Sequence, residues 1–250
     1  MLSRDLFESS EYGKIFNWIV NQLPLNFSED SIAAKMLANK IEYDLDALNR
    51  GFQLIEGKEV AIVGNGPELE IIERIEGEVL VVADSALWKA VKKLRRTPDM
   101  LVTDFDGISG IDEGLMSKIS LIVGHIHGDN FQAASNFIEK LRGLKGKVLF
   151  TTQRDPQPPF FNFGGFTDGD RSVFAALFFG ARNVRVYSIG ETVLPSRNSF
   201  PKSTRMRKFW IGKLLVEWLK CKGENVEIPL SGLIECSPFP WEAEMHESRH

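Results

Sequence analysis

Pro98-Asp99-Met100-Leu101-Val102-Thr103-Asp104-Phe105-Asp106-Gly107 is the stretch on which the reading of this chain turns. Four apolar or β-branched residues run straight into two carboxylates spaced Asp-x-Asp, and a glycine follows. A short strand that is apolar on both faces belongs inside a parallel sheet covered by helices. Strand side chains alternate, so Asp104 and Asp106 share a face for as long as the strand geometry persists. They would then converge at the carboxyl end of the strand, where open parallel sheets bind ligands. Two adjacent carboxylates repel unless a cation lies between them, and hard oxygen ligands suit magnesium. An Asp just after a strand also reads as a helix N-cap.

The same rhythm recurs from residue 58 onward. Short apolar runs stand at Val60–Val63, Val79–Ala83, Met100–Thr103, Leu121–Val123, Val148–Thr151 and Val184–Ile189, and Asn225–Pro229 is a candidate last strand. Helix-length segments such as Trp88–Leu94 and Phe131–Leu141 lie between them. Strand and helix in alternation define an α/β fold with a doubly wound, mostly parallel, Rossmann-like sheet. Residues 1–56 look different. Ile15, Trp18 and Ile19 fall at helical spacing. Ile32, Met36, Leu37, Ile41, Leu45 and Leu48 form one stripe, entered through Ser28-Glu29-Asp30 and left at Gly51 and Gly57. The expected organisation is a helical N-terminal lobe (1–56) whose stripe packs on the main domain, an α/β catalytic domain (57–230) and a C-terminal tail (231–250).

Residues at the strand ends gather along one edge of such a sheet. The first strand ends in Gly64-Asn65-Gly66-Pro67, which reads either as a tight turn or as a nucleotide contact with a helix starting at Pro67-Glu68-Leu69. The second ends in Asp84-Ser85, and the third in Asp104 and Asp106. The fourth runs into Gly124-His125-Ile126-His127-Gly128-Asp129-Asn130, and the fifth ends in Thr151-Thr152-Gln153. Four carboxylates along one edge, Asp84, Asp104, Asp106 and Asp129, need a metal or cationic partner. A divalent cation with a polyphosphate accounts for them.

Two further segments complete this edge. Pro158–Arg171, PPFFNFGGFTDGDR, is too glycine-rich for a core helix and too aromatic for an ordinary solvent loop. It reads either as a loop tucked under the domain or as a cradle in which aromatic faces with Asn162, Asp168 or Asp170 hold a flat heterocycle. Arg197, Lys202, Arg205, Arg207, Lys208 and Lys213 follow without an intervening acid. They form a solvated helix face or, opposite so acidic an edge, a phosphate clamp.

Composition limits the alternatives. The 250 residues carry 30 basic and 34 acidic side chains, a net charge of −4, with 43% hydrophobic and 26% charged residues. That is an ordinary globular balance and gives no support to a nucleic-acid or membrane-surface role. Cys221 and Cys236, without a CxxC pair, suggest neither a disulfide framework nor a zinc site and fit a reducing interior. Met1-Leu2-Ser3-Arg4-Asp5 turns polar at once, and no apolar run is long enough to span a bilayer. A cytoplasmic location is expected.

In this order, IVGNGPELE, VVADSALWKAV, PDMLVTDFDG, GHIHGDN, TTQ and NFGGFTDGDRSVFAALFFGAR resemble the MptE-like archaeal 6-hydroxymethyl-7,8-dihydropterin pyrophosphokinases. The resemblance runs from about Val60 to Lys213. A more distant similarity links Pro98–Asp106 to the thiamin pyrophosphokinases, whose catalytic core the expected fold shares. Ser85-Ala86 after Asp84, in place of a glycine pair, and His125-Ile126-His127, in place of a Lys-Asp type sequence, favour the pterin enzyme.

The resemblance implies transfer of diphosphate from ATP to the hydroxymethyl group of 6-hydroxymethyl-7,8-dihydropterin. AMP would be released, and the product would feed folate or tetrahydromethanopterin-type cofactor synthesis. Asp104, Asp106, His127 and Asp129 are the expected catalytic residues. Magnesium is expected on Asp84, Asp104, Asp106 and Asp129. ATP is expected against Gly64, Asn65, Gly66, Asp84, Ser85, Thr152, Arg205 and Lys208, and the pterin against Phe163, Asp168 and Asp170. His125, His127 and Asp129 all remain candidates for the group that accepts the alcohol's proton. Other readings are a thiamin or other alcohol pyrophosphokinase, a metal-dependent phosphohydrolase using His125, His127 and Asp129 as ligands, and a non-catalytic nucleotide-binding module. Assembly as a homodimer stays open.

Overall fold

The computed structural model describes residues 10–25, 28–108, 110–111, 113–140, 144–153, 156–194, 199–236 and 238–242. Three helices come first: α1 (Ser10–Gln22), α2 (Ser28–Ala38) and α3 (Leu45–Ile55). Strand and helix then alternate as β1 (Glu59–Val63), β2 (Val79–Ala83), α4 (Leu87–Leu94), β3 (Met100–Thr103), α5 (Glu113–Lys118), β4 (Leu121–Ile126), α6 (Phe131–Lys140), β5 (Val148–Thr152), α7 (Asp168–Phe178), β6 (Asn183–Tyr187), α8 (Thr204–Cys221) and β7 (Val226–Glu227). The seven strands form one sheet in the order β5-β4-β3-β2-β1-β6-β7, with every pair parallel. The sheet is wound outward in both directions from β1, which pairs with β2 on one side and β6 on the other. This is a doubly wound α/β fold.

Alternation along the strands builds two cores. Val60, Ile62, Val81, Val102 and Val123 face a layer made by α1, α3, α7 and α8. Ala61, Val63, Val82, Leu101 and Ile122 face α2, α4, α5 and α6. The N-terminal helices therefore share the sheet's own cores, α1 and α3 on one face and α2 on the other. The expected stripe of residues 32–48 is split. Asp44 caps α3 by accepting the Ala47 N–H at 2.9 Å, which starts a new helix where one continuous helix was expected. Leu37 is fully buried, whereas Ile32, Met36 and Leu45 are exposed. Gly51 is not an exit: it lies inside α3, where a side chain would strike the Phe179 ring.

The reading of the cysteines as unpaired is corrected. Cys221 and Cys236 form a disulfide with Cα atoms 5.2 Å apart. The sequence signals no framework because the pairing is made by tertiary return: α8 ends at Cys221, β7 joins the sheet edge, and the chain then runs back to α8. There Trp241 stacks on Phe239 and meets Trp18 and Trp218 edge-on. Among the described residues no helix is long and apolar enough to cross a membrane.

Candidate active site

Six consecutive strands end at one cavity of about 630 Å³. Its wall takes Gly64 and Asn65 after β1, Asp84 and Ser85 after β2, and Asp104 and Asp106 after β3. His125, His127 and Asp129 come from β4 and its exit, Gln153 from after β5, and Ser188 and Ile189 from after β6. Phe166–Arg171 at the start of α7 closes one side, and Arg205, Lys208, Phe209 and Lys213 of α8 form the facing wall. Leu25 and Asp30 of the N-terminal segment also reach it. The position, outside the carboxyl ends of a parallel sheet, is the one such folds use for ligands.

Asp84, Asp104 and Asp168 bring one carboxylate oxygen each within 4.8 Å of one another. Each is placed by a distinct local device. Asp84 opens a single 3₁₀ turn directly after β2 and accepts the Thr103 hydroxyl across from β3. Gly107 packs so closely on the Asp84 carboxylate that a β-carbon there would overlap it. Asp104 stands just beyond β3, where Phe105 adopts a left-handed backbone (φ 73°) and buries its ring against Phe137. That turn ends strand alternation, so Asp106 parts from Asp104. Asp106 is exposed, with its N–H donating to Asp104 Oδ1 at 3.2 Å. Asp168 is the first residue of α7. The expected foursome thus divides: Asp84 and Asp104 join Asp168, while Asp106 and Asp129 line the cavity outside that group.

The electrostatics follow from burial. Asp84 has its pKa pushed up to about 6 by burial, with the neighbouring Asp104 and Asp106 charges adding to the shift. Burial, helped by Asp104 and Asp84, raises Asp168 well above the usual carboxylate range. Asp104 goes the other way. Its burial is outweighed by His127, whose Nε2 lies 3.8 Å from Asp104 Oδ2, and by the Asp106 N–H. Asp106 is raised, again by burial and the Asp104 charge. A trio of carboxylates in which two resist ionisation is a site that a divalent cation would relieve.

The remaining expected residues sort plainly. Asn65 donates to Ser85 Oγ at 3.1 Å, and its buried Oδ1 has no partner among the described residues. The turn after β1 leads into the helix expected at Pro67, which is a four-residue 3₁₀ helix, Pro67–Glu70. Gly66 is spent on packing: its N–H donates to Ser188 O, and a β-carbon would meet Gly190 N at 2.6 Å. Thr152 is buried and does not line the cavity. Phe163, expected beneath the pterin, is 2% exposed and packs on Phe161, Phe178 and Phe179. Asp170 is consumed by the capping box of α7, accepting the Phe166 and Thr167 N–H groups and the Thr167 hydroxyl. Arg207 does not reach the cavity; it donates to Pro201 O and lies over the Phe200 ring. Arg197 lies outside the described residues.

Other residues at or around the cavity were not foreseen. Arg171 is buried, with Nη2 donating to Phe166 O and Gln153 Oε1 and its Nε without a partner among the described residues. Asn130 donates to both Asp104 O and His125 O, tying the ends of β3 and β4 together. Tyr12 of α1 donates to Gly165 O at 2.8 Å, and Asp30 of α2 accepts the Gly128 N–H at 2.9 Å. The N-terminal helices thus hold two of the loops that shape the site. Phe166 and Phe209, not Phe163, are the aromatic rings at the cavity.

Fold and cavity together define a doubly wound α/β protein with a charged cleft of the kind that holds polyphosphates, acids on the strand ends and bases on a helix opposite. No family model matches the chain. It is 30% identical over 234 residues to the 6-hydroxymethyl-7,8-dihydropterin pyrophosphokinase of Pyrococcus furiosus, a match that spans 88% of this chain and 98% of that protein. The protein of the same name from Methanocaldococcus jannaschii is 28% identical over 239 residues, 87% of this chain and 98% of its own. That of Methanothermobacter thermautotrophicus is 27% identical over 184 residues, 68% and 77% respectively. The chain belongs to the 6-hydroxymethyl-7,8-dihydropterin pyrophosphokinase family.

Proposed function

We propose that this chain transfers diphosphate from ATP to the hydroxymethyl group of 6-hydroxymethyl-7,8-dihydropterin, releasing AMP. The observation that carries the reading is the end-to-end likeness to relatives of that name, in a chain whose strand-end acids face Arg205, Lys208 and Lys213 across one cavity. Asp84, Asp104 and Asp168 would hold magnesium, their clustering and the raised pKa values of Asp84 and Asp168 supporting the fit. Bound there, the ion would neutralise charge on phosphate oxygens. Arg205 and Lys208 would steady the phosphates, and Asn65 Oδ1 offers an acceptor to a nucleotide or pterin amine. Phe166 and Phe209 offer the ring faces for the flat heterocycle. A cytoplasmic location goes with this reading. The disulfide alone does not exclude it, because intracellular disulfides are frequent in some hyperthermophiles.

Incubation with ATP, magnesium and the pterin, followed by separation of nucleotides and pterins, should give AMP and pterin diphosphate in equal amounts. Thiamin in its place should give neither. Phosphate release without any acceptor would make the chain a hydrolase and overturn the proposal.

A further inference from the structure

Three groups are candidates to take the alcohol's proton: His125, His127 and Asp129. Hydrogen bonding separates them. His127 precedes the 3₁₀ turn Gly128–Asn130 and caps it, its ring accepting the Asn130 N–H. Its Nε2 lies 3.8 Å from Asp104 Oδ2, a carboxylate assigned above to the metal. The ring is thus turned towards the Asp104 carboxylate and the capped turn. Asp129 is exposed, where water competes for its oxygens.

His125 is arranged differently. It lies within β4, on the face that Leu121 and Val123 also use, and is 3% exposed at the cavity wall. The β4–β5 register sets it opposite Thr151. Its Nδ1 is 3.0 Å from Thr151 Oγ1, and that hydroxyl donates to Gly124 O at 3.4 Å. With the hydroxyl proton directed at Gly124, the Thr151 oxygen accepts from Nδ1–H, and Nε2 bears the lone pair. The opposite tautomer would turn the hydroxyl proton to Nδ1 and give up its bond to Gly124 O. Among the described residues Nε2 has no partner. Burial holds the imidazole neutral, so this lone pair persists at neutral pH.

We propose that His125 Nε2 accepts the proton of the substrate hydroxyl, with Thr151 fixing the tautomer. The inference rests on the diphosphate-transfer reading above. The substrate oxygen bonds to the β-phosphorus of ATP, and the bond from that phosphorus to the oxygen of the α-phosphate breaks. Its electron pair leaves on AMP, and the hydroxyl proton passes to Nε2. In a loose transition state the hydroxyl turns acidic only as the new bond forms, so a weak, neutral base suffices.

The test compares His125→Ala, Thr151→Val and the unaltered enzyme in steady state, with circular dichroism and ATP-binding calorimetry as controls for folding. His125→Ala should lower kcat by about 100-fold, the usual weight of a positioned base, with the pterin KM little changed and partial rescue by added imidazole. Thr151→Val should lower kcat by less and leave KM alone, and it carries the test if His125→Ala does not fold. Nitrogen NMR of the unaltered protein should show His125 protonated at Nδ1. A kcat within twofold of normal in the variants, a raised KM at constant kcat, or a proton on Nε2 would overturn the assignment while leaving the pyrophosphokinase reading in place. An unaltered enzyme that transfers nothing to the pterin would overturn both.

Discussion

The two charged walls of the cavity are built in opposite ways. The acidic wall sits on two strand ends and the first residue of α7: Asp84 is buried, Asp104 and Asp168 half-buried, and all three are fixed by local turns and caps. The basic wall sits on about two turns of α8, where Arg205 is exposed and Lys208 and Lys213 half-buried, with Lys213 paired to Glu217 four residues on. Rigid, desolvated oxygens suit a metal, which demands defined coordination. Long cationic stems suit phosphates, which tolerate variable approach. The contrast teaches that position is set by rigid element ends and charge balance by long, adaptable side chains.

The largest expected effect comes from the acidic wall. Asp104→Asn or Asp168→Asn should remove most turnover, several kcal/mol of lost transition-state stabilisation, while Asp106→Asn, outside the trio, should keep a substantial part of it. Magnesium titrations of AMP release would read this, and equal losses in Asp106→Asn and Asp168→Asn would erase the distinction within the wall. On the basic wall, single Ala variants of Arg205 and Lys208 should lower kcat more than they raise the KM for ATP, by roughly tenfold. Arg207→Ala, which faces Pro201 and Phe200, should change turnover little. Identical kinetics for Arg207→Ala and Lys208→Ala would show that the helix acts only through its overall field.

A pH experiment sharpens the comparison. Asp84 has a raised folded pKa, so between about pH 4 and about 6 the metal-free folded protein holds more protons than the unfolded chain, and stability falls as pH rises through that window. On the proposed assignment magnesium would bind the ionised carboxylates. The rise in melting temperature that it produces should therefore be large at about pH 8 and fade below about pH 6. A rise independent of pH would move the metal off Asp84. The smallest effect on turnover belongs to the disulfide: Cys221→Ser should leave kcat unchanged while removing about 3 kcal/mol of stability by the loop-entropy estimate, read as a lowered melting temperature matched by reductant.

Most strands were legible because a parallel sheet buried on both faces needs uninterrupted apolar runs, and Val79–Ala83 and Met100–Thr103 have the boundaries expected of them. Asp84 and Asp104 were legible for the same reason, as the first polar residues after such runs. Asp168 as a partner of those acids was not. Thr167-Asp168-Gly169-Asp170 is a capping sequence that starts α7, but the aromatic and glycine content of Pro158–Arg171 masked the helix start. Phe163 was misplaced because burial in a core and exposure at a cradle call for the same residue type. Phe105 was unforeseeable, since a left-handed backbone at a bulky residue runs against local preference and is held by its ring contacts. Nothing local in the sequence tells that Tyr12 and Asp30 reach loops more than ninety residues away.

The strand order also bears on synthesis. Val60 pairs with Val79 on one side of β1 and with Val184 on the other. As the chain emerges from the ribosome, β1 to β5 can join in the order in which they are made. The other edge of β1 waits for β6. A nascent chain halted after β5 would carry Asp84 and Asp104 on an open sheet, with neither Asp168 nor the cations of α8 to complete them. The full set of acids and cations proposed to hold a metal and a polyphosphate is therefore assembled only with the last third of the protein.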